Sequence, residues 1–219
     1  NDQPHGQGTS YKAVSGDRYE RAWVNGRRHG RGTNWYPDGG RYEGAWEEGK
    51  KHGLGTYWHP GGGKYQGAWE GGQKHGLGTN WYPSGAKYEG AWQHGQWHGQ
   101  GTSYNEANGE RYEGAWVTGM RHGQGTFWHP DGRKYQGAWE NNKPHGLGTI
   151  FYPDGVKYEG AWQNGQWHGQ GTSYNEANGE RYEGAWVTGM RHGQGTFWHP
   201  DGRKYQGAWE NNKPHGLGT

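Results

Sequence analysis

Ten histidines, His5, His29, His52, His75, His98, His122, His145, His168, His192 and His215, each stand immediately before a Gly-x-Gly. Imidazoles in register could ligate a metal or act as general bases. Equivalent residues one hairpin apart in a sheet lie roughly 9.6 Å from each other, too far to share an ion bound at about 2 Å. No Ser or acidic residue recurs beside them in a triad-like arrangement. The ladder therefore reads as turn histidines bonded to backbone, with no catalytic residue, no metal site and no cofactor expected. The Gly-x-Gly itself lacks the Lys-Ser/Thr and helix pattern of a phosphate loop.

A second ladder is basic. Arg18, Arg41, Lys64, Lys87, Arg111, Lys134, Lys157, Arg181 and Lys204 each precede a Tyr, with Glu20, Glu43, Glu89, Glu113, Glu159 and Glu183 two residues on from six of them. Opposite signs at i and i+2 of one strand face neutralise each other. Anionic lipid headgroups are the alternative, but such a site gains about 1 kcal/mol per cation and needs uncompensated charge. With 23 basic against 21 acidic residues and a net charge of +2, nucleic acid is not an expected partner. The aromatic residues make a third series. They serve either as internal packing or as a platform for a partner, a sugar or a cationic ligand, and Trp97 and Trp167 are expected as exposed contacts in the first turn of their units.

The elements that position these ladders follow from one period. Tyr19, Tyr42, Tyr65, Tyr88, Tyr112, Tyr135, Tyr158, Tyr182 and Tyr205 recur every 23 or 24 residues, so 1–219 is expected to be one continuous array. Residues 19–204 hold eight complete repeats, with partial repeats at 1–18 and 205–219. Residues 88–149 recur as 158–219 with a single change, His94 against Asn164, the mark of recent duplication or of construction from a cassette.

Only 27% of residues are hydrophobic and Leu, Ile, Val and Phe number 13, whereas there are 16 Trp, 16 Tyr and 48 Gly. A disordered chain would be poor in aromatics and carry a large net charge. The composition excludes a conventional globular core and with it a deep catalytic pocket. The absence of Cys excludes disulfides and thiolate chemistry. No stretch reaches the roughly 20 apolar residues of a membrane span. Asn1-Asp2-Gln3-Pro4 carries no basic or apolar leader region, which leaves the compartment open.

Within a unit, Tyr112, Gly114 and Trp116 alternate with Glu113 and Ala115, the period of a strand with one aromatic face. Gln124–His129 reads as a second strand, Val117–Gly123 as the reversal between them, and Pro130-Asp131-Gly132 as the outgoing turn. Each unit is thus a β-hairpin. The expected packing ladder is Tyr42, Gly44, Trp46 and Trp58, repeated as Tyr112, Gly114, Trp116 and Trp128. In this reading Thr and the ring two residues after it share the packed face with Tyr and Trp. The residue between them joins Lys or Arg, Glu or Gln, and Ala on the other face.

Tyr-Glu-Gly-Ala-Trp, then His-Gly-x-Gly-Thr, then Pro-Asp-Gly at a 23-residue period resembles the MORN (membrane occupation and recognition nexus) repeat over essentially the whole chain. The resemblance implies an all-β, elongated, single-layer antiparallel sheet of about 19 strands, roughly 90 Å long at 4.8 Å per strand. It further implies a non-enzymatic scaffold for protein contacts, with membrane lipids as a second partner class. Departures are Arg21, where other units have Gly, and Asn-Glu-Ala-Asn-Gly at 105–109 and 175–179 in place of the Pro turn. Candidate interaction residues are Trp97, Trp167, Lys64, Lys87, Arg111, Lys134, Lys157, Arg181 and Lys204. The partners expected are a second copy of the chain or other proteins, with anionic lipid, choline or carbohydrate as alternatives.

Overall fold

The structure, a computed structural model, describes residues 5–11 and 16–219. Residues 1–4 and 12–15 of the expected partial repeat lie outside it. The chain divides into two compact units, Asn1–Ala107 and Asn108–Thr219. Among the described residues there is no helix, so the fold class is all-β.

The first unit contains β1 (Gly6–Tyr11), β2 (Arg18–Val24), β3 (Arg27–Trp35), β4 (Arg41–Glu47), β5 (Lys50–Trp58), β6 (Lys64–Glu70), β7 (Gln73–Trp81), β8 (Ala86–Gln93) and β9 (Gln96–Asn105). The second contains β10 (Arg111–Val117), β11 (Met120–Trp128), β12 (Lys134–Glu140), β13 (Lys143–Phe151), β14 (Val156–Gln163), β15 (Gln166–Asn175), β16 (Arg181–Val187), β17 (Met190–Trp198), β18 (Lys204–Glu210) and β19 (Lys213–Gly218). Within each unit every strand pairs antiparallel with its successor in sequence, giving one layer of hairpins.

Local chemistry explains the hairpins. The β4–β5 reversal is two residues, Glu48 and Gly49, with φ of 49° and 80°, the left-handed pair that matches strand twist in a two-residue loop. The outgoing turn closes with Gly39 N–H donating to Tyr36 O at 3.0 Å, while the Asp38 carboxylate accepts from Gly40 N–H at 2.9 Å. In the 24-residue unit the turn at 175–180 is held differently: Asn175 N–H donates to Glu180 O at 2.9 Å and Gly179 N–H to Asn175 O at 2.8 Å. The turn therefore closes without the proline.

The histidine motif is a bulge. Gly44 pairs with Gly55 and Trp46 with Lys51, so Ala45 alone faces three residues, His52, Gly53 and Leu54. Gly53 takes φ +60° there, a conformation glycine adopts without strain. The following turn docks on the bulge, Gly72 N–H donating to Lys51 O at 2.9 Å.

Candidate functional site

The two faces of the hairpin layer have distinct chemistry, and the register decides which residues belong to each. Tyr42 pairs with Tyr57, Glu43 with Thr56 and Arg41 with Trp58. Directly paired residues share a face. Trp58 and Trp128, expected in the packing ladder, therefore lie opposite Tyr42 and Tyr112 on the charged face, beneath Arg41 at 3.8 Å and Arg111 at 4.7 Å. Thr shares that face. The variable residue takes the packed side instead: Asn34 and Asn80 are each 1% exposed, and Phe127 and Ile150 are buried.

On the aromatic face Tyr19, Tyr42, Tyr65, Tyr112, Tyr135 and Tyr182 are each sealed between two tryptophans. The Tyr42 ring meets Trp46 at 5.0 Å and Trp69 of the next hairpin at 5.3 Å, both edge-on, the favoured geometry for the ring quadrupoles. Its hydroxyl donates to Ala45 O at 2.9 Å. The indole N–H of Trp69 donates to Gly55 O at 3.1 Å. The floor beneath the ring must be glycine, because a Cβ on Gly55 would lie 2.3 Å from the Tyr42 hydroxyl. Burial raises Tyr42, Tyr65, Tyr135 and Tyr158 far above the usual phenol range and Tyr112 and Tyr182 to about 12.

The residue before each His completes this face, and it is matched to the variable position. Lys51 reaches into a box of rings, 4.0 Å from Tyr57 and 4.7 Å from Trp69. Lys74 donates to the buried Asn80 amide oxygen at 2.6 Å, and Arg28 to that of Asn34 at 2.7 Å. Burial lowers Lys51 and Lys74 to about 8, with Arg28 and Lys74 adding to the effect on Lys51. Trp97 and Trp167 occupy the same position opposite the small Ser103 and Ser173. They lie in strands, not in turns, and stack flat on Tyr88 at 4.4 Å and Tyr158 at 4.2 Å. Half-buried, they are internal packing and not the exposed contacts expected of them. The boxes that could seat a cationic ligand at Tyr57 and Phe127 hold the chain's own Lys51 and Arg121.

The threonine face is the open one. Leu54, Leu77 and Leu147 project from it 68%, 74% and 73% exposed. Tyr104, Phe151 and Tyr174 stand exposed at the row of rings beside the basic ladder. Within that ladder Arg18, Arg41, Lys87, Arg111, Lys157 and Arg181 pair with the Glu two residues on. Lys64, Lys134 and Lys204 have Gln in its place, and Lys64 sits over Trp81 at 4.6 Å. Of the histidines, His52, His75, His145 and His215 approach Glu47, Glu70, Glu140 and Glu210 at 3.2 to 3.4 Å. Among the described residues no group of three potential ligands could hold a metal ion.

Two troughs open on this face. In the first unit about 520 Å³ is lined by Arg21, Arg31, Thr33, Glu43, Leu54, Thr56 and Gln66 over a floor of glycines. In the second about 920 Å³ is lined by residues including Gln136, Leu147, Thr149, Phe151, Lys157 and Glu159.

The family model described as MORN repeat matches residues 1–14, 22–41, 42–64, 65–87, 88–104, 112–132, 135–157, 158–174, 182–202 and 205–219. No curated protein matches the chain. Among solved structures it is similar to the TCP domain of Drosophila melanogaster SAS-4 (dCPAP) in complex with a proline-rich motif of Ana2 (dSTIL). The identity is 12%, covering 82% of this chain and 90% of that one, with a TM-score of 0.45. It is also similar to the TCP10 domain of Danio rerio CPAP in complex with a STIL peptide, at 12% identity over 100% and 97% of the two chains and a TM-score of 0.42.

Proposed function

Since the chain belongs to the MORN repeat family, we propose that it is a non-catalytic scaffold that binds other proteins through its threonine face. One observation carries this reading: leucines 68 to 74% exposed stand at equivalent positions of that face, which also carries the exposed rings Tyr104, Phe151 and Tyr174, whereas the rings of the other face are buried against one another. Apolar residues in register at the surface mark a contact site, and equivalent points roughly 9.6 Å apart, two strand spacings, offer a partner several anchors at once. The six Glu-paired cations weaken the case for a purely electrostatic lipid site.

Panning a displayed random-peptide library tests the reading. Selected peptides are expected to lose about tenfold in affinity for a Leu54→Glu/Leu77→Glu variant, the cost of roughly 1.4 kcal/mol for placing charges at the contact. A library that yields no binder, or binders indifferent to those substitutions, overturns it. A second copy of the chain is one such partner. Sedimentation velocity that shows a single monomeric species at every concentration removes that case.

A further inference from the structure

The trough of the first unit is distinguished by a strained arginine. Every other complete unit has Gly at the position of Arg21. A Cβ at the equivalent Gly44 would lie 2.5 Å from Gly55 Cα and 2.6 Å from the Tyr42 hydroxyl. Arg21 escapes the corresponding clash by adopting φ +105°. It keeps its pairing with Gly8 and Gly32 and turns its side chain into the trough on the threonine face. A non-glycine backbone held in that region is strained. Arg31, one strand away, lines the same trough. Among the described residues neither arginine has a carboxylate within ion-pair distance, because the acids of this face, Glu20 and Glu43, are held by Arg18 and Arg41. One end of the trough is therefore a pair of arginines without a partner carboxylate, and the rest is Thr33, Thr56, Gln66, the exposed Leu54 and Glu43, whose carboxylate is taken by Arg41 at 3.8 Å.

We infer that this trough binds an acidic, proline-rich segment of a partner protein in the polyproline II conformation; the inference rests on the threonine face being the contact surface. Charge complementarity requires the acid. Pitch selects the conformation: equivalent points recur about every 9.6 Å across the strands, and one three-residue turn of polyproline II rises about 9.3 Å. A β-strand repeats its face every 6.6 to 6.8 Å or so. An α-helix repeats its face about every 10.5 Å and drifts out of step within a few hairpins. From Arg21 in β2 to Gln66 in β6 is four strand spacings, roughly 19 Å, which accommodates about six residues of such a segment. The exposed Leu54 in its lining suits proline, which enters already ordered and so loses little entropy on binding.

The test is fluorescence anisotropy with labelled (Pro-Pro-Glu)5, whose repetition removes any dependence on register. Binding is expected, with (Pro-Pro-Lys)5 silent and the flexible, equally charged (Gly-Ser-Glu)5 at least about tenfold weaker. Arg21→Gly and Arg31→Gln are each expected to weaken the complex about tenfold, in line with loss of a hydrogen bond between charged groups. Arg21→Gly restores the residue of the other units, so it should raise the melting temperature while it lowers affinity, which excludes misfolding as the cause of the loss. Equal binding of (Gly-Ser-Glu)5, or indifference to both substitutions, overturns the inference. Failure of (Pro-Pro-Glu)5 while library peptides still bind through Leu54 overturns it and leaves the wider reading standing. Phosphatidylserine vesicles that co-sediment with the protein in an Arg21-dependent way, with no peptide binding, overturn it in favour of a membrane surface.

Discussion

The Tyr42 ring lies so close over Gly55 that a Cβ there would sit 2.3 Å from its hydroxyl. Gly55→Ala must displace the ring and both tryptophans it touches, and is expected to cost about 3 kcal/mol, the upper range for overpacking. Tyr42→Phe keeps the ring and loses only the bond to Ala45 O, and is expected to cost about 1 kcal/mol. Urea denaturation of the two variants compares these effects; equal costs would show that the hydroxyl and not ring packing governs this site. Compensation inside a hairpin gives a sharper test. Trp167 packs beside Ser173 where Arg191 packs on Phe197, 5.1 Å from its ring. Ser173→Phe alone is expected to destabilise by overpacking, and Trp167→Arg in the same chain to recover most of the loss, a coupling of about 1 kcal/mol or more in a double-mutant cycle. This matching was the one signal in the sequence that could have placed the variable residue on the packed face. Lys51 with Tyr57, Pro144 with Ile150 and Trp97 with Ser103 only make sense if the two side chains meet. Aromatic identity pointed instead to Trp58, and identity does not report register.

At the scale of the hairpin, the turns were legible and the bulge was not. Pro-Asp-Gly and the x-Gly pairs carry their backbone conformation in their residue types, and the structure bends where they stand. The His-Gly of the motif reads as the end of a reversal and its x-Gly as the start of the next strand, whereas the whole motif lies within β5 and sets three residues against Ala45. No local propensity encodes a pairing between strands. Arg21 shows the same limit, since this departure from the repeat pattern is absorbed by one positive φ with β2 still paired on both sides. The turns make their own prediction. His94, Thr118 and Thr188 occupy the left-handed region at φ of 50°, 49° and 49°, the conformation Asn164 adopts in the duplicated segment. Asn tolerates that region better than either. His94→Asn and Thr118→Asn are each expected to stabilise the protein by roughly 0.5 to 1 kcal/mol, read as a higher denaturation midpoint at unchanged slope. A drop in the midpoint would mean that the edge-on contact of His94 with His75 at 5.8 Å outweighs the backbone term.

For the molecule as a whole, the aromatic face fixes how stability responds to alkali, through two sets of buried groups that act in opposite senses. Lys51 and Lys74 fall from 10.5 to about 8 on folding. Between those values the unfolded chain holds protons that the folded chain has released, so stability rises with pH across that window, and the penalty is fully present below it. The tyrosines run the other way. Their folded values lie above the ordinary 10, with Tyr112 and Tyr182 at about 12, so their contribution is intact below pH 10 and is lost as pH climbs through the folded values. Melting temperature is therefore expected to increase from pH 8, crest near about pH 10 and collapse above it. Thermal melts followed by near-ultraviolet circular dichroism at pH 7, 9, 10 and 11 trace this curve. Lys51→Met with Lys74→Met should flatten the rising limb and leave the collapse unchanged, because Met fills the ring boxes without a proton to lose. If the double variant keeps the full rise, the ring faces hold both ammonium groups charged through pH 10, and the boxes are cation sites and not merely places where a lysine is buried.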